Sequence, residues 1–134
     1  MNTASLELSK ELYELSDWEE LGNVPSAWYG YIEDEETVCY GQTKPEGCIP
    51  AYDLGFLLRK LPKLLDIDGA SFSLCLHTNI APPDWTAYYM FVQVVDGKLK
   101  RFSNRLKVEA DTPEDAVCKL AIELFKQGVL KGKE

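Results

Sequence analysis

The sequence predicts a single α+β domain over residues 1–134, with an antiparallel sheet of about five strands packed against two or three helices. Apolar residues recur at helical spacing near both ends of the chain, whereas the alternation typical of strands occupies the middle. Between two strand-like segments, Asp96 and Gly97 have the composition of a type I′ hairpin turn. With 46% hydrophobic and 27% charged residues, the chain has the composition of a globular protein with one core.

Three segments carry helix signals. The first, residues 5–16, and the second, within "AYDLGFLLRKLP", repeat leucine at spacings of three and four residues. Asp53 suits the start of the second helix, and Pro62 ends it. In the third, "DTPEDAVCKLAIELFKQG", Thr112 fits the N-cap and Gly128 fits the position just past the helix end. The remaining tail, residues 131–134, is expected to fray.

The strand signals lie between these helices. "AWYGYI" and "TVCYG" predict a hairpin with the four acids of residues 33–36 at its tip. "SFSLCLHT" alternates apolar and polar residues, and "AYYMFVQVV" is apolar on both sides, as expected for a central strand that is covered on each face. "KLKRF" should return antiparallel beside it, and "RLKVEA" should follow as a further strand.

Charge is unevenly distributed along the chain. The net charge is −8, yet residues 1–36 alone hold ten acids and one base, so the remainder is close to neutral. Residues 98–107 hold five bases and no acid. This pattern predicts an electrostatic polarity that steers charged partners more than it stabilises the fold.

Cysteine and histidine residues show no metal-binding spacing. The four cysteines include no Cys-x-x-Cys pair, and His77 is the only histidine, so we expect free thiols, no metal and no cofactor. Cys75 and His77 are two residues apart on a predicted strand and therefore share a face, which leaves a small Cys/His hydrolase as an alternative. Because no Gly-rich phosphate loop or Gly-x-Ser-x-Gly motif is present, a non-enzymatic role is preferred.

Two surfaces are candidate contact sites. The acidic tip lacks the alternating ligands and the glycine of a calcium loop. It is therefore a solvated turn, a surface for a protein partner or, together with the acids of the first helix, a mimic of nucleic-acid phosphate. Trp85, in "APPDW", is difficult to bury beside two prolines. It either folds back over the sheet or serves as a contact residue, since aromatic anchors are enriched at protein interfaces. The predicted protein contacts are therefore Glu33, Asp34, Glu35, Glu36 and Trp85.

The basic segment supports an alternative function in nucleic-acid binding. Lysine and arginine supply phosphate contacts, and Phe102 among them could stack on a base. The sequence pI near 4.7 argues against this alternative. Its candidate residues are Lys98, Lys100, Arg101, Arg105 and Lys107.

Four pieces of the chain, "LSKELYELSDW", "IPAYDLGFLLRKLP", "AYYMFVQV" and "ADTPEDAVCKLAIELFKQGVL", together resemble a group of small uncharacterised proteins encoded by tailed bacteriophages and prophages. The resemblance covers most of the chain except residues 33–48, 63–70 and 96–104. Its motifs are helix starts and core stripes, so it implies a shared fold and origin and carries no catalytic residue.

The function predicted from these observations is that of a phage accessory protein that binds an unidentified host or phage protein, such as a defence factor, and is not an enzyme. The first residues carry acids where a secretory signal carries bases, and no apolar run approaches about 18 residues. We therefore expect the host bacterial cytoplasm as its location, with no membrane contact. The sequence leaves the oligomeric state open.

Overall fold

A computed structural model describes residues 2–18, 26–32, 35–41, 47–80 and 83–131. Within these ranges the chain forms three helices and seven strands. In order they are α1 (Leu6–Ser16), β1 (Ser26–Ile32), β2 (Glu35–Gly41), β3 (Ile49–Pro50), α2 (Leu54–Lys60), β4 (Leu64–Ile67), β5 (Ala70–Asn79), β6 (Asp84–Val95), β7 (Lys98–Ala110) and α3 (Pro113–Lys126).

The strands form two antiparallel sheets. The larger sheet has the order β4-β5-β6-β7, so β6 is an interior strand, and the smaller has the order β2-β1-β3. The predicted α+β class with antiparallel strands is confirmed, and the size of the predicted sheet is roughly matched. The strands divide between two sheets because the β1–β2 hairpin pairs with the short β3 and not with an edge of the larger sheet.

Each helix begins at a residue whose side chain accepts a backbone hydrogen bond. The oxygens of Ser5, Asp53 and Thr112 each accept from the amide three residues later, at 3.3, 2.8 and 3.1 Å respectively. Gly128, just past α3, has φ 77°. These bonds satisfy amides that the first helical turn leaves without partners, and they confirm the predicted helix starts.

Helix α3 lies at the centre of the core. It contacts α1, α2, β6 and β7. Its apolar residues recur in the sequence at spacings of three and four, which predicts one buried stripe, and the structure buries this stripe. The residues of the stripe, all with no exposed surface, are Val117, Leu120, Ala121 and Leu124. One hydrophobic cluster joins them to Leu12 of α1 and Tyr89 of β6 and, from the smaller sheet, to Trp28. No helix in the described ranges is long and apolar enough to cross a membrane.

The β6–β7 hairpin extends beyond the rest of the larger sheet. Asp96 and Gly97 both have positive φ, at 53° and 75°, and form the predicted two-residue turn. The β5–β6 ladder ends at the pair Ser73 and Met90, and within the described chain the rest of β6 pairs with β7 alone. Val92, Val94 and Val95 are exposed, so the expectation that all of "AYYMFVQVV" is covered on both faces is wrong for its second half.

Candidate functional site

Residues 91–103 form a projecting two-stranded segment, which we call the ribbon. Its two faces continue those of the larger sheet. We define the inner face as the one that carries the core residue Tyr89, and the outer face as the opposite one, which carries Tyr88. Side chains alternate between these faces along each strand, and ladder partners share a face.

The outer face of the ribbon is apolar and exposed. Val92 is the ladder partner of Phe102, and Val94 is the partner of Leu99. Val94, Leu99 and Phe102 are 59, 63 and 57% exposed. Four large apolar side chains in two adjacent ladder pairs therefore form one patch in contact with water, and patches of this kind mark interaction sites.

The basic residues do not all share the face of this patch. Arg101 pairs with Gln93 and Arg105 pairs with Tyr89, which places both on the inner face. Their guanidinium carbons lie 5.6 Å from the ring centroid of Phe91 and 5.9 Å from that of Phe72, within the range of cation–π attraction. Phe102 and these arginines thus lie on opposite sides of the ribbon, which separates the predicted stacking residue from two of the predicted phosphate ligands.

The lysines of the basic segment are also exposed. Lys98 pairs with Val95 beside the turn, and Lys100 lies at the register shift between Gln93 and Val94. The ammonium of Lys107 lies 3.8 Å from a carboxylate oxygen of Glu109 on the same strand. All five predicted bases are therefore accessible, but they do not all share one face, since Lys98 lies on the inner face with the two arginines and Lys100 lies at the register shift.

A cleft opens where β5 and β6 stop pairing. Its two sides are residues 67–72, which include the β4–β5 turn, and residues 91–94 of β6, with Arg101 and Arg105 on its wall. Its volume is about 660 Å³, within the range of small-ligand sites. Asp68 at the turn lies 3.6 Å from Arg105, so the cleft already holds one carboxylate beside one guanidinium.

Cys75 and His77 share the outer face, as the sequence predicts, but His77 is engaged elsewhere. Its Nδ1 lies 3.1 Å from the Tyr88 hydroxyl, and its Nε2 lies 3.2 Å from the Asn79 side-chain oxygen. The Cys75 thiol donates to the Ser73 carbonyl at 3.7 Å. Among the described contacts, then, the imidazole does not reach the thiol as a general base would.

Tyr88 links these side chains into a polar network. Burial raises the pKa of Tyr88, and the adjacent Cys75 raises it further. Its hydroxyl is therefore a neutral phenol at physiological pH. Asn79 extends the network by donating to Asp84 and to Thr86. A network with this many mutual hydrogen bonds fixes side-chain positions on the sheet surface.

Trp85 is half-buried and packs against the main hydrophobic cluster. It pairs with Ala110 across β6 and β7. It also lines a cavity of about 530 Å³ with Thr3 and Glu114. One side of the indole is thus part of the core and the other borders a cavity, so its predicted role as a protein contact stays a prediction.

The predicted acidic tip is described only in part. The β1–β2 hairpin on which it depends is confirmed, with Ser26 opposite Gly41 at one end. Glu33 and Asp34 lie outside the described residues. Glu35 and Glu36 begin β2, where Glu36 is exposed. The role of these acids as protein contacts stays a prediction.

Comparison with protein-family models, with curated proteins and with solved structures found no match to this chain. The resemblance to phage proteins therefore stays a prediction. Within the described ranges, no three histidine, cysteine or acidic side chains are grouped to hold a metal ion. The surfaces with the clearest chemistry are the apolar outer face of the ribbon and the arginine-bearing cleft beside it.

Sequence reasoning did not identify these two surfaces. The available signals were the Asp96 and Gly97 turn and the alternation in the strands that flank it. Counting the same number of residues back along β6 and forward along β7 from that turn pairs Val94 with Leu99 correctly. The same count pairs Val92 with Arg101, which the structure does not. The register shift between Gln93 and Val94 has no signal of this kind, and it decides which side chains share a face.

Proposed function

We propose that this chain is a non-enzymatic binding module for a protein partner, and that the outer face of the ribbon is its contact surface. The observation that supports the proposal is the exposed patch of Val92, Val94, Leu99 and Phe102 on the outer face. The proposal keeps the accessory role predicted from the sequence, with a host or phage protein as the partner. It moves the main contact from the acidic tip and Trp85 to the ribbon.

The ribbon has a thermodynamic reason to be covered. A two-stranded hairpin on its own is marginally stable in water, and the ribbon has no third strand along residues 91–95 among the described residues. Full burial of one valine, leucine or phenylalanine side chain contributes about 1.5 to 3 kcal/mol. A partner that covers the patch would therefore stabilise both the contact and the ribbon.

The charge around the patch defines the partner further. Residues 98–107 of the strand that carries Leu99 and Phe102 hold five bases and no acid. Lys100 lies between these two apolar residues in the chain, whereas Arg101 and Arg105 lie on the opposite face. A partner surface with carboxylates beside its apolar residues would match this arrangement. These charges would act mainly on the association rate and on its dependence on salt.

The test compares wild type with a triple ribbon variant and a double control variant in a capture experiment from nuclease-treated bacterial lysate. In the ribbon variant, Val94→Ser, Leu99→Ser and Phe102→Ser remove the patch. In the control variant, Leu64→Ser and Ile80→Ser remove apolar side chains that are 62 and 94% exposed elsewhere on the surface. All proteins are checked for equal folding by circular dichroism.

We expect a stoichiometric protein that wild type and the control variant retain and the ribbon variant loses. If the ribbon variant captures the same proteins in the same amounts as wild type, the ribbon is not the contact surface. If wild type binds material from untreated lysate and none from nuclease-treated lysate, the partner is a nucleic acid and the proposal is wrong.

A further inference from the structure

We propose that the cleft between β5 and β6 binds an extended segment of the partner in which acidic and apolar residues alternate, and that this segment adds to the free edge of β6. This inference rests on the proposed function, because it names the chemistry of the segment that the protein partner contributes. It assigns a role to Arg101 and Arg105, which lie on the opposite face from the apolar patch and are not part of that contact surface.

The backbone of β6 provides the edge. Up to Met90 the strand pairs with both β5 and β7, and within the described chain residues 91–95 pair with β7 alone. Alternate N–H and C=O groups of these residues therefore point into the cleft without a ladder partner there. Addition of an extended peptide to such an edge is a common mode of recognition, in which main-chain hydrogen bonds provide affinity.

The arginine pair provides the specificity for carboxylates. Both guanidinium groups lie on the inner face of the sheet at the wall of the cleft, near the rings of Phe91 and Phe72. Cation–π attraction holds the two groups near the rings, and a guanidinium presents N–H donors in a fork that matches the two oxygens of a carboxylate. Asp68 marks the place that such a carboxylate would take beside Arg105. Its side chain is 84% exposed, so a partner carboxylate can replace it at little cost.

The two faces of the ribbon require alternation in the ligand. In an added strand, successive side chains point to opposite faces. Acids at alternate positions would meet Arg101 and Arg105 on the inner face. The residues between them would extend the outer-face patch beside Val92 and Val94. A nucleic-acid strand offers anionic groups but no alternating aliphatic side chains, which is why we favour a peptide.

The test uses a fluorescein-labelled peptide, Glu-Val-Glu-Val-Glu-Val, and measures its binding to the full chain by fluorescence anisotropy at low salt. Three competitors or comparison ligands separate the components of recognition. Lys-Val-Lys-Val-Lys-Val reverses the charge, Glu-Glu-Glu-Val-Val-Val keeps the composition but removes the alternation, and a six-nucleotide oligothymidine supplies phosphates.

Substitutions in the chain test the arginine pair. Arg101→Ala with Arg105→Ala removes both guanidinium groups. Lys98→Ala with Lys107→Ala is the matched control, since it removes the same charge from the same strand at residues that do not line the cleft. Arg101→Lys with Arg105→Lys keeps the charge but removes the planar, two-pronged donors. Equal circular dichroism spectra and unfolding midpoints show that each variant is folded.

We expect the alternating acidic peptide to bind, and the other two peptides to bind at least about tenfold more weakly, a difference of about 1.4 kcal/mol. The arginine-to-alanine variant should lose about tenfold or more, the lysine variant an intermediate amount, and the control variant less than about twofold. Equal losses in the arginine-to-alanine and control variants would show non-specific charge attraction and overturn the inference.

Two other outcomes would also overturn it. If oligothymidine displaces the peptide and binds more tightly, the cleft recognises phosphate. If no peptide binds although wild type still captures a protein through the ribbon, the inference about the cleft is wrong while the proposed function stands. If the ribbon variant captures the same proteins as wild type while the peptide still binds specifically, the ribbon is not the contact surface but the cleft does bind an acidic peptide.

Discussion

Val92 and Phe102 are direct ladder partners on the outer face of the ribbon, although equal counting from the Asp96 and Gly97 turn would pair Val92 with Arg101. The difference arises at Lys100, where β7 has one residue more than β6 between neighbouring ladder pairs. A one-residue shift moves side chains to the other face of a strand. The bulge therefore brings Phe102 into the apolar patch and moves Arg101 to the cleft.

Deletion of Lys100 tests this relationship directly. With the extra residue removed, equal counting from the turn itself places Arg101 opposite Gln93 and Phe102 opposite Val92, which are the pairs of the wild type. We therefore expect NMR cross-strand contacts between the side chains of Val92 and Phe102 in both proteins, and the deletion variant should keep partner capture because the patch is intact. A contact between Val92 and Arg101 in the wild type would show that β7 has no extra residue at Lys100.

Leu120→Ala tests the position of α3 in the core. Leu120 has no exposed surface, and truncation of a buried leucine leaves a cavity as well as lost transfer energy. We expect the free energy of unfolding, measured by chemical denaturation, to fall by about 2 to 5 kcal/mol. Leu99→Ala on the exposed ribbon is the control and should change it by less than about 0.5 kcal/mol. A loss below about 1 kcal/mol for Leu120→Ala would contradict the assigned core face.

Alkaline pH should destabilise the fold through its buried tyrosines. Burial raises the pKa of the Tyr89 phenol from 10.0 to about 12, and burial raises the pKa of Tyr52 as well. Because the folded state holds these protons more tightly, their contribution to stability is complete below pH 10 and is lost as the pH rises through the folded-state pKa. Tyr89 alone accounts for up to about 2.7 kcal/mol between pH 10 and 12.

The measurement is the free energy of unfolding in urea from pH 8 upward. In Tyr89→Phe the decline above about pH 10 should be shallower than in wild type. The same variant loses the hydrogen bond that Tyr89 donates to the Pro62 carbonyl at 2.8 Å, so the slopes are compared and not the absolute stabilities. Tyr40→Phe, at a residue that is exposed, is the control. Identical slopes in all three proteins would contradict the role of Tyr89.

Much of the fold follows from local signals in the sequence. Thr112 and Asp53 mark helix starts, since their side chains accept from amides that no helix can satisfy internally. The stripe that includes Leu120 predicts the buried face of α3, and Asp96 with Gly97 predicts the hairpin turn through their tolerance of positive φ. These features depend on residues within a few positions of one another, so the sequence by itself determines them.

The candidate site depends on relationships that are distant in sequence. The separation of β5 from β6 after Met90, the bulge at Lys100 and the approach of Arg105 to Phe72 join segments that no local pattern connects. Likewise, the sequence predicts strands but does not say that β1 pairs with β3 in a separate sheet. Only the tertiary structure decides which edges are covered and which side chains share a face, because ladder register and packing are set between strands and not within them.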